Sequence, residues 1–408
     1  MSGSFSLLLK RDFGVLTVAD AVSVLGDQIG WVALLWFATE TARDSAAVGL
    51  VGLAYGLPGV ILGPLVGQIF DRVSHKTVLL VANVGLGAIF LGMPLLYSAH
   101  ALSWTVLLLL VLVAGCLTPF TSIGWMIIVP SLVRDDELGT ANSVVETIWH
   151  GASLLGPVLG GVTIARLGAP LTLSADGLSF CIAVGCLLVW KDQSIRETLP
   201  RTVSEPFPGR RFWRDTLAGF QLLYRLKPVW WITVAAIVFN IAYGQLEVSL
   251  PLLTRRELSG SAFELGTFWT TYFLASLVGS ALCGPISRRG RHGVWMSLMA
   301  MAWGVSFVPM MAAPSLWVTY LSMGLGGLVF SGFPPLARTS VQRLVPRAHQ
   351  GSIMGIRGSL IAIGMPAGSY LSGSIGEWLP SSTVIGYTGL LVVVVGISLF
   401  SIRSFRTM

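Results

Sequence analysis

WTVLLLLVLVAGCLTPFTSIGWMIIV, residues 104–129, carries no charged side chain along its whole length. About 20 such residues in a helix cross the ~30 Å hydrocarbon core of a bilayer, so this stretch reads as a membrane span. Working outward, eleven more stretches read the same way: 12–38, 46–69, 77–98, 140–165, 170–190, 228–254, 262–286, 294–313, 316–338, 350–376 and 381–402. With the first they make twelve predicted spans. No water-soluble core can bury so many apolar helices, and the predicted class is an all-α membrane protein.

Composition agrees. Charged residues make up 11% of the 408 positions and hydrophobic ones 54%, against about 25% charged in soluble domains. The net charge of +7 does not point to nucleic acid, because no basic run is interleaved with aromatics. Basic residues gather instead in alternate short loops: Lys10 and Arg11, Arg72 and Lys76, Arg134, the stretch 191–227, Arg288 to Arg291, Arg338 to Arg347, and Arg403 with Arg406. Such loops stay cytoplasmic, which predicts a multi-pass protein of the bacterial cytoplasmic membrane with both termini inside. Cys116, Cys181, Cys186 and Cys283 fall within spans and lack metal-ligand spacing, so they read as inert core thiols. The opening MSGSFSLLLKRDFG has no cleavage architecture, and the first span is expected to be retained.

The long polar interruption at 191–227 begins Pro-rich. It ends with Phe212, Trp213, Leu217, Phe220 and Leu223 at helical spacing among arginines. That pattern predicts a linker with an amphipathic helix on the membrane surface. It separates six-span halves at 1–190 and 228–408. The halves repeat one another. LVRDDELGTAN at 132–142 matches LVPRAHQGSIM at 344–354, and Gly156, Leu159 and Gly161 match Gly368, Leu371 and Gly373. GQIFDRVSHK at 67–76 matches GPISRRGRHG at 284–293. Internal duplication of this kind marks transporter folds whose site lies at the repeat interface.

GQIFDRVSHK, with Gly67, Asp71 and Arg72, resembles the loop signature of the major facilitator superfamily. Ser74 and His75 depart from that pattern, standing where a Gly and an Arg are usual. Asp71 is placed either at a helix N-terminus or against a basic group of the other half. GPVLGG at 156–161, with Gly156, Pro157 and Gly160, resembles the Gly-Pro signature of the exporter branch. SVLGDQIGWVALLWF at 23–37 and the segment 129–180 resemble the drug-efflux subfamily that includes macrolide-efflux proteins and the enterobactin exporter. The resemblance implies two pseudo-symmetric six-helix bundles, a cavity lined by helices one, five, seven and eleven (with two, four, eight and ten), and export of small molecules. The fourth span lacks the Arg that many proton-coupled drug antiporters carry there.

Ionisable residues inside spans are functional candidates by default. Asp20 and Asp27 lie seven apart on one face of the first helix, with Gln28 and Trp31 beside Asp27. Glu146 and His150 stand four apart on the fifth, within reach of a shared proton or hydrogen bond, next to Trp149 and Ser153. Asp27, Asp20, Glu146 and His150 are the proton-handling candidates. Asp176, in ADGLSF, reads as structural. Asn240, Tyr243 and Glu247 share a face of the seventh helix, and Arg357 on the eleventh needs a carboxylate partner such as Asp20 or Glu146. With Trp31, Gln28, Trp149, Trp269 and Tyr272 they are the substrate-binding candidates, the aromatics offering flat surfaces to a bulky ligand.

No GxxxxGK[ST] loop for ATP is present, and no loop carries a Ser-His, His-Asp or metal constellation. The expectation is therefore not an enzyme but a proton-coupled exporter of amphipathic small molecules. It would work as a monomer in lipid with no cofactor, no metal site and no nucleic-acid partner. Alternatives are a dedicated exporter of one metabolite (a siderophore, a lipid or a metal) and a transporter-like sensor that moves nothing. The orientation is checked by single cysteines in a cysteine-free background. Pro200→Cys and Gly290→Cys should resist an impermeant thiol reagent in intact cells while Arg43→Cys reacts, and labelling of position 200 from outside would reverse the topology.

Overall fold

The apolar stretches form helices because a backbone in hydrocarbon must satisfy its own N–H and C=O groups. The computed structural model describes residues 7, 10–190, 220–288, 290–345 and 350–408. Its long helices are α1 (Arg11–Thr41), α2 (Ser45–Arg72), α3 (His75–Ser98), α4 (Trp104–Leu132), α5 (Leu138–Leu167) and α6 (Ala169–Val189) in the first half. The second half has α7 (Lys227–Leu252), α8 (Ala262–Arg288), α9 (His292–Phe307, then Pro309–Ala312), α10 (Leu316–Phe330 and Phe333–Leu344), α11 (Gln350–Ala362 and Gly364–Ile375) and α12 (Ser381–Ser401). The amphipathic linker helix expected over Phe212, Trp213 and Leu217 lies outside the described residues. Its end, 220–225, is helical, and Phe220 and Tyr224 pack their rings on Trp230 at the start of α7.

Eleven of the twelve helices are long and apolar enough to span a membrane. The exception is α11, which is broken at Ile363 into segments of 13 and 12 residues. The cause is Pro366, which has no N–H to give to the Ala362 carbonyl. Pro309 stands at the break in α9, and Pro334 and Pro335 follow the break in α10. Elsewhere the ends are capped from the sequence. Ser74, Ser103 and Ser315 accept hydrogen bonds from the Thr77, Val106 and Val318 amides at 3.2, 3.3 and 3.3 Å. Gly168, at φ +80°, makes the turn from α5 to α6, a conformation that costs other residues energy.

The described residues fall into two compact units. One contains α1, α3–α6, α2 from Ala54 onward, and the first residues of α8 to Thr267. The other contains α2 as far as Leu53, α7, the rest of α8 and α9–α12. In the first unit a Cβ on Gly156 would lie 2.3 Å from the Gln28 side chain, and one on Gly161 2.5 Å from the Ala262 carbonyl. In the second, Gly368 approaches the Ile241 carbonyl to 2.0 Å and Gly373 the Ser45 carbonyl to 2.5 Å by the same measure. So α5 meets α1 and α8 just as α11 meets α7 and α2, at the residues that the sequence repeat aligns. His75 and His292, also aligned, both open a helix and are both buried.

The twelve-helix, two-bundle fold expected from the sequence is the one observed, with small residues at the crossings where lipid gives helices no hydrophobic reason to associate. At the α9–α12 crossing a Cβ on Gly304 would lie 2.3 Å from the Gly389 carbonyl and 2.7 Å from Val393. Gly304→Val should therefore destabilise the protein by about 1–3 kcal/mol, read as a lower melting temperature in detergent. Gly92 on α3 has nothing within 4 Å of such a Cβ. Gly92→Ala should melt at or above wild type, gaining about 0.5–1 kcal/mol of helix preference. Equal melting of the two variants would contradict a tight α9–α12 contact.

Candidate functional site

Asp27 lies half-buried on α1. Its position is set by three neighbours of that helix. From α5, Gly156 sits against Gln28 and Gly160 against Ile29 and Val32. From α2, the Tyr55 ring lies 5.1 Å from the Trp31 ring, and the Thr118 hydroxyl of α4 donates to the Tyr55 oxygen at 3.4 Å. From α6 comes Asp176, 1% exposed. A Cβ on Gly30 would lie 2.4 Å from its Oδ2, and one on Gly26 3.0 Å from its Oδ1 and 2.2 Å from Ser179 Oγ. Asp176 thus fills a slot on α1 made by two glycines four apart, one turn of the helix. Asp27 is within electrostatic range of both Asp176 and Tyr55. Asp20 lies half-buried two turns before Asp27.

Glu146 and His150 are placed differently from a tight proton-sharing pair. Their side chains are exposed, and His150 Nε2 is 3.9 Å from Glu146 Oε2, too long for a hydrogen bond. Trp149 is 48% exposed and meets the His150 ring edge-on at 5.2 Å. Ser153, expected on the same face, is buried, and its hydroxyl finds no hydrogen-bond partner among the described residues. Pro157 is accommodated inside α5 without ending it.

The second unit holds the remaining candidates. Asn240 spends its side-chain N–H on its own helix, donating to the Ala236 carbonyl at 2.9 Å. Tyr243 is half-buried and faces Trp269 at 5.5 Å and Tyr272 at 6.4 Å. Trp269 and Tyr272 are buried among Phe239, Phe273, Trp303 and Phe330. The Trp303 indole N–H reaches the Tyr272 oxygen at 3.4 Å, so Tyr243 is the more accessible of the three. Glu247, one turn on from Tyr243, is buried. Arg357 is half-buried in the first segment of α11, and its Nε makes no hydrogen bond among the described residues. It forms no salt bridge within its own unit among them.

The loop motif is anchored by residues other than those the signature emphasises. Gly67, Asp71 and Arg72 lie in the last two turns of α2, and the start of the next helix is capped by Ser74 instead. His75 is buried against the Phe70 ring at 5.4 Å. Lys76 Nζ donates to the Trp190 carbonyl at 2.5 Å and the Leu188 carbonyl at 3.3 Å, which closes the C-terminus of α6 with a cation. From the start of α1 to the α4–α5 connection, Lys10 Nζ lies 2.5 Å from Glu137 Oε2. That lysine, with the Arg134 amide, holds the Glu137 carboxyl below the usual carboxylate range. Among the described residues no three His, Cys, Asp or Glu converge to hold a metal ion.

Sequence reasoning did not find Tyr55, Thr118 or the closeness of Asp176 to Asp27. The available signal was GDQIG at 26–30, two glycines one turn apart around an aspartate.

Comparison with known proteins bears on this arrangement. A family model described as transmembrane secretion effector matches residues 2–407. The chain is 23% identical over 404 residues to the MFS-type transporter y4rN of Sinorhizobium fredii, covering 97% of this chain and 95% of that one. It is 16% identical to macrolide efflux protein A of Streptococcus pyogenes, covering 95% of each. It is 21% identical to the multidrug efflux pump Tap of Mycobacterium tuberculosis, covering 88% of this chain and 86% of Tap. The fold is also that of the nucleoside transporter NupG, with a TM-score of 0.72, 15% identity, and 96% and 99% of the two chains covered. A bacterial homologue of the human lysosomal transporter Spinster superposes with a TM-score of 0.73 at 12% identity, covering 99% and 97%.

Proposed function

The chain belongs to the transmembrane secretion effector family of the major facilitator superfamily, and on that basis we propose that it exports amphipathic small molecules in exchange for protons. That it is a secondary transporter and not an enzyme follows from the family. Export is favoured by relatives named as efflux pumps, macrolide efflux protein A and Tap.

The observation that carries the proton-coupled reading is Asp27, a half-buried carboxyl in a membrane-spanning helix with Trp31 one turn away and the Tyr55 ring against it. A lone charge inside a span is costly, so a carboxyl there can take up a proton from one side and give it to the other as the site alternates. In this reading the ionised Asp27 favours a substrate with cationic or strongly polar character, the aromatic rings hold its apolar part, and protonation removes the charge that held it. One proton moving down about 100 mV of membrane potential supplies about 2.3 kcal/mol. At about 1.4 kcal/mol per tenfold, one-for-one exchange of an uncharged polar substrate then sustains an about fifty-fold gradient, whereas exchange of a monocation moves no net charge and is driven by the pH difference alone. Glu146, His150 and Trp149 on the exposed face of α5, and Tyr243, Glu247 and Arg357 in the second unit, are proposed as further contacts for the substrate.

The test is transport in proteoliposomes with and without an imposed pH gradient, against a panel of a macrolide, a cationic dye, a siderophore and a lysolipid. Asp27→Asn should abolish uphill accumulation of the transported compound, at least tenfold below wild type, while downhill exchange persists. A variant that still concentrates substrate like wild type would remove Asp27 from coupling. Transport of the siderophore or the lysolipid alone would favour a dedicated exporter.

A further inference from the structure

We propose that the last turns of the linker, with the first turn of α7, form a docking surface for the headgroups of anionic phospholipids, held by Arg225 and Lys227.

Depth places the surface. The seventh span runs from Lys227 to Glu257, 31 residues. At 1.5 Å per residue that is about 45 Å of helix, the thickness of the hydrocarbon core together with both headgroup layers. Lys227, at the end of the span, therefore stands at headgroup level. Trp230 lies one turn deeper, in the layer that amphipathic rings prefer. The helical segment 220–225 leads into this end of α7.

Burial gives that segment two sides. Leu223 is wholly buried and Leu222 and Leu226 are half-buried, which seats the segment on the protein. Phe220, Gln221, Tyr224, Arg225 and Lys227 are exposed. The Phe220 and Tyr224 rings lie 5.8 and 5.4 Å from the Trp230 ring, and Lys227 Nζ stands 3.7 Å over the Tyr224 ring. An ordinary solvated face carries charges without aromatics. Here Phe220 and Tyr224 are 37% and 51% exposed, and the medium that offers them apolar cover at this depth is the lipid itself.

The charges select the kind of lipid. Among the described residues neither Arg225 nor Lys227 forms a salt bridge or a side-chain hydrogen bond. The ring beneath Lys227 attracts its charge without using up its three N–H donors, and a guanidinium can pair two phosphate oxygens at once. Between 210 and 227 there are five basic residues, Arg210, Arg211, Arg214, Arg225 and Lys227, against one acid, Asp215. The first three lie outside the described residues and add to the positive field. A basic cluster next to a span attracts anionic headgroups, each Lys or Arg near the surface contributing about fivefold in affinity. A zwitterionic headgroup brings its own cation and is favoured less.

Hydrogen exchange of the full-length protein in nanodiscs tests this, and both faces of the disc carry the same lipid, so the outcome does not depend on orientation. Backbone amides 220–226 should exchange at least about fivefold more slowly when phosphatidylglycerol is added to phosphatidylcholine. Arg225→Gln with Lys227→Gln should melt like wild type, since both side chains are exposed, and should lose that slowing. Should the double variant fold poorly, ~1 M salt serves on the wild-type protein: it screens charges beyond ~3 Å and should remove the difference between the two lipids. Equal exchange in the two lipids would overturn the proposal, as would slowing that survives both the double substitution and high salt. Protection by soluble glycerol phosphate in phosphatidylcholine discs would assign the site to a free anion instead of a lipid. Protection that rises with the number of chains per disc, whatever the lipid, would assign the face to a second copy of the chain. Either result would overturn the lipid assignment.

Discussion

Hydrocarbon does not reward one apolar helix for touching another, and that constraint shapes the whole molecule. Helices surrounded by lipid associate through close van der Waals contact and polar interaction, because apolar surface alone gains nothing by leaving the lipid. The glycine contacts follow from this. Gly156 on Gln28, Gly368 on Ile241 and Gly304 on Gly389 each bring backbones to a distance that a Cβ would prevent. At such distances weak Cα–H···O contacts also add up. The same medium makes a lone charge expensive, so the few that remain inside spans are confined to places where a neighbour or a cavity can answer them.

These two demands meet on α1. One side of that helix is smooth enough to admit α6, and what α6 inserts there is not a methyl group but the carboxyl of Asp176. A crossing that serves packing elsewhere in the protein here carries charge as well. The pseudo-symmetric counterpart behaves differently. Where α5 meets α1 beside Asp27, α11 meets α7 through Met365 and Ile241 carbonyls, with Asn240 bonded to its own helix. The two halves share a frame, and the carboxyl-rich helix belongs to one of them.

Much of the frame was legible in the sequence, because span length and apolar content are local properties. The positions of all twelve helices could be read, and the repeat aligned residues that pack in equivalent ways: Gly156 with Gly368, Gly161 with Gly373, His75 with His292. The break in α11 was less visible, since Pro366 is tolerated in many spans and only its neighbours decide whether the helix stays whole. Side-chain environment was the least legible. Helical spacing put Glu146 and His150 on one face, as observed, but spacing does not fix rotamers, and the pair stands at 3.9 Å in the open. Trp269 and Tyr272 read as cavity aromatics, yet the rings of Tyr243, Phe273 and Phe330 pack on them and both are buried. Asp176 read as structural because its contact with Gly26 and Gly30 is made across helices, where sequence distance carries no information.

The break at Ile363 has a mechanical consequence. A continuous helix behaves as a stiff rod, so a torque applied at one end reaches the other. In α11 the missing hydrogen bond at Pro366 interrupts that rod between Arg357 and the packed stretch from Gly364 to Gly373. The packed segment is gripped by α7 and the start of α2, while a Cβ on Gly355 or Gly358, to either side of Arg357, would meet nothing within 4 Å. The joint thus divides one span into a tightly gripped half and a more loosely packed one. The arginine rides on the looser half, and a force on its side chain is transmitted poorly past the joint to the helix contacts beyond it.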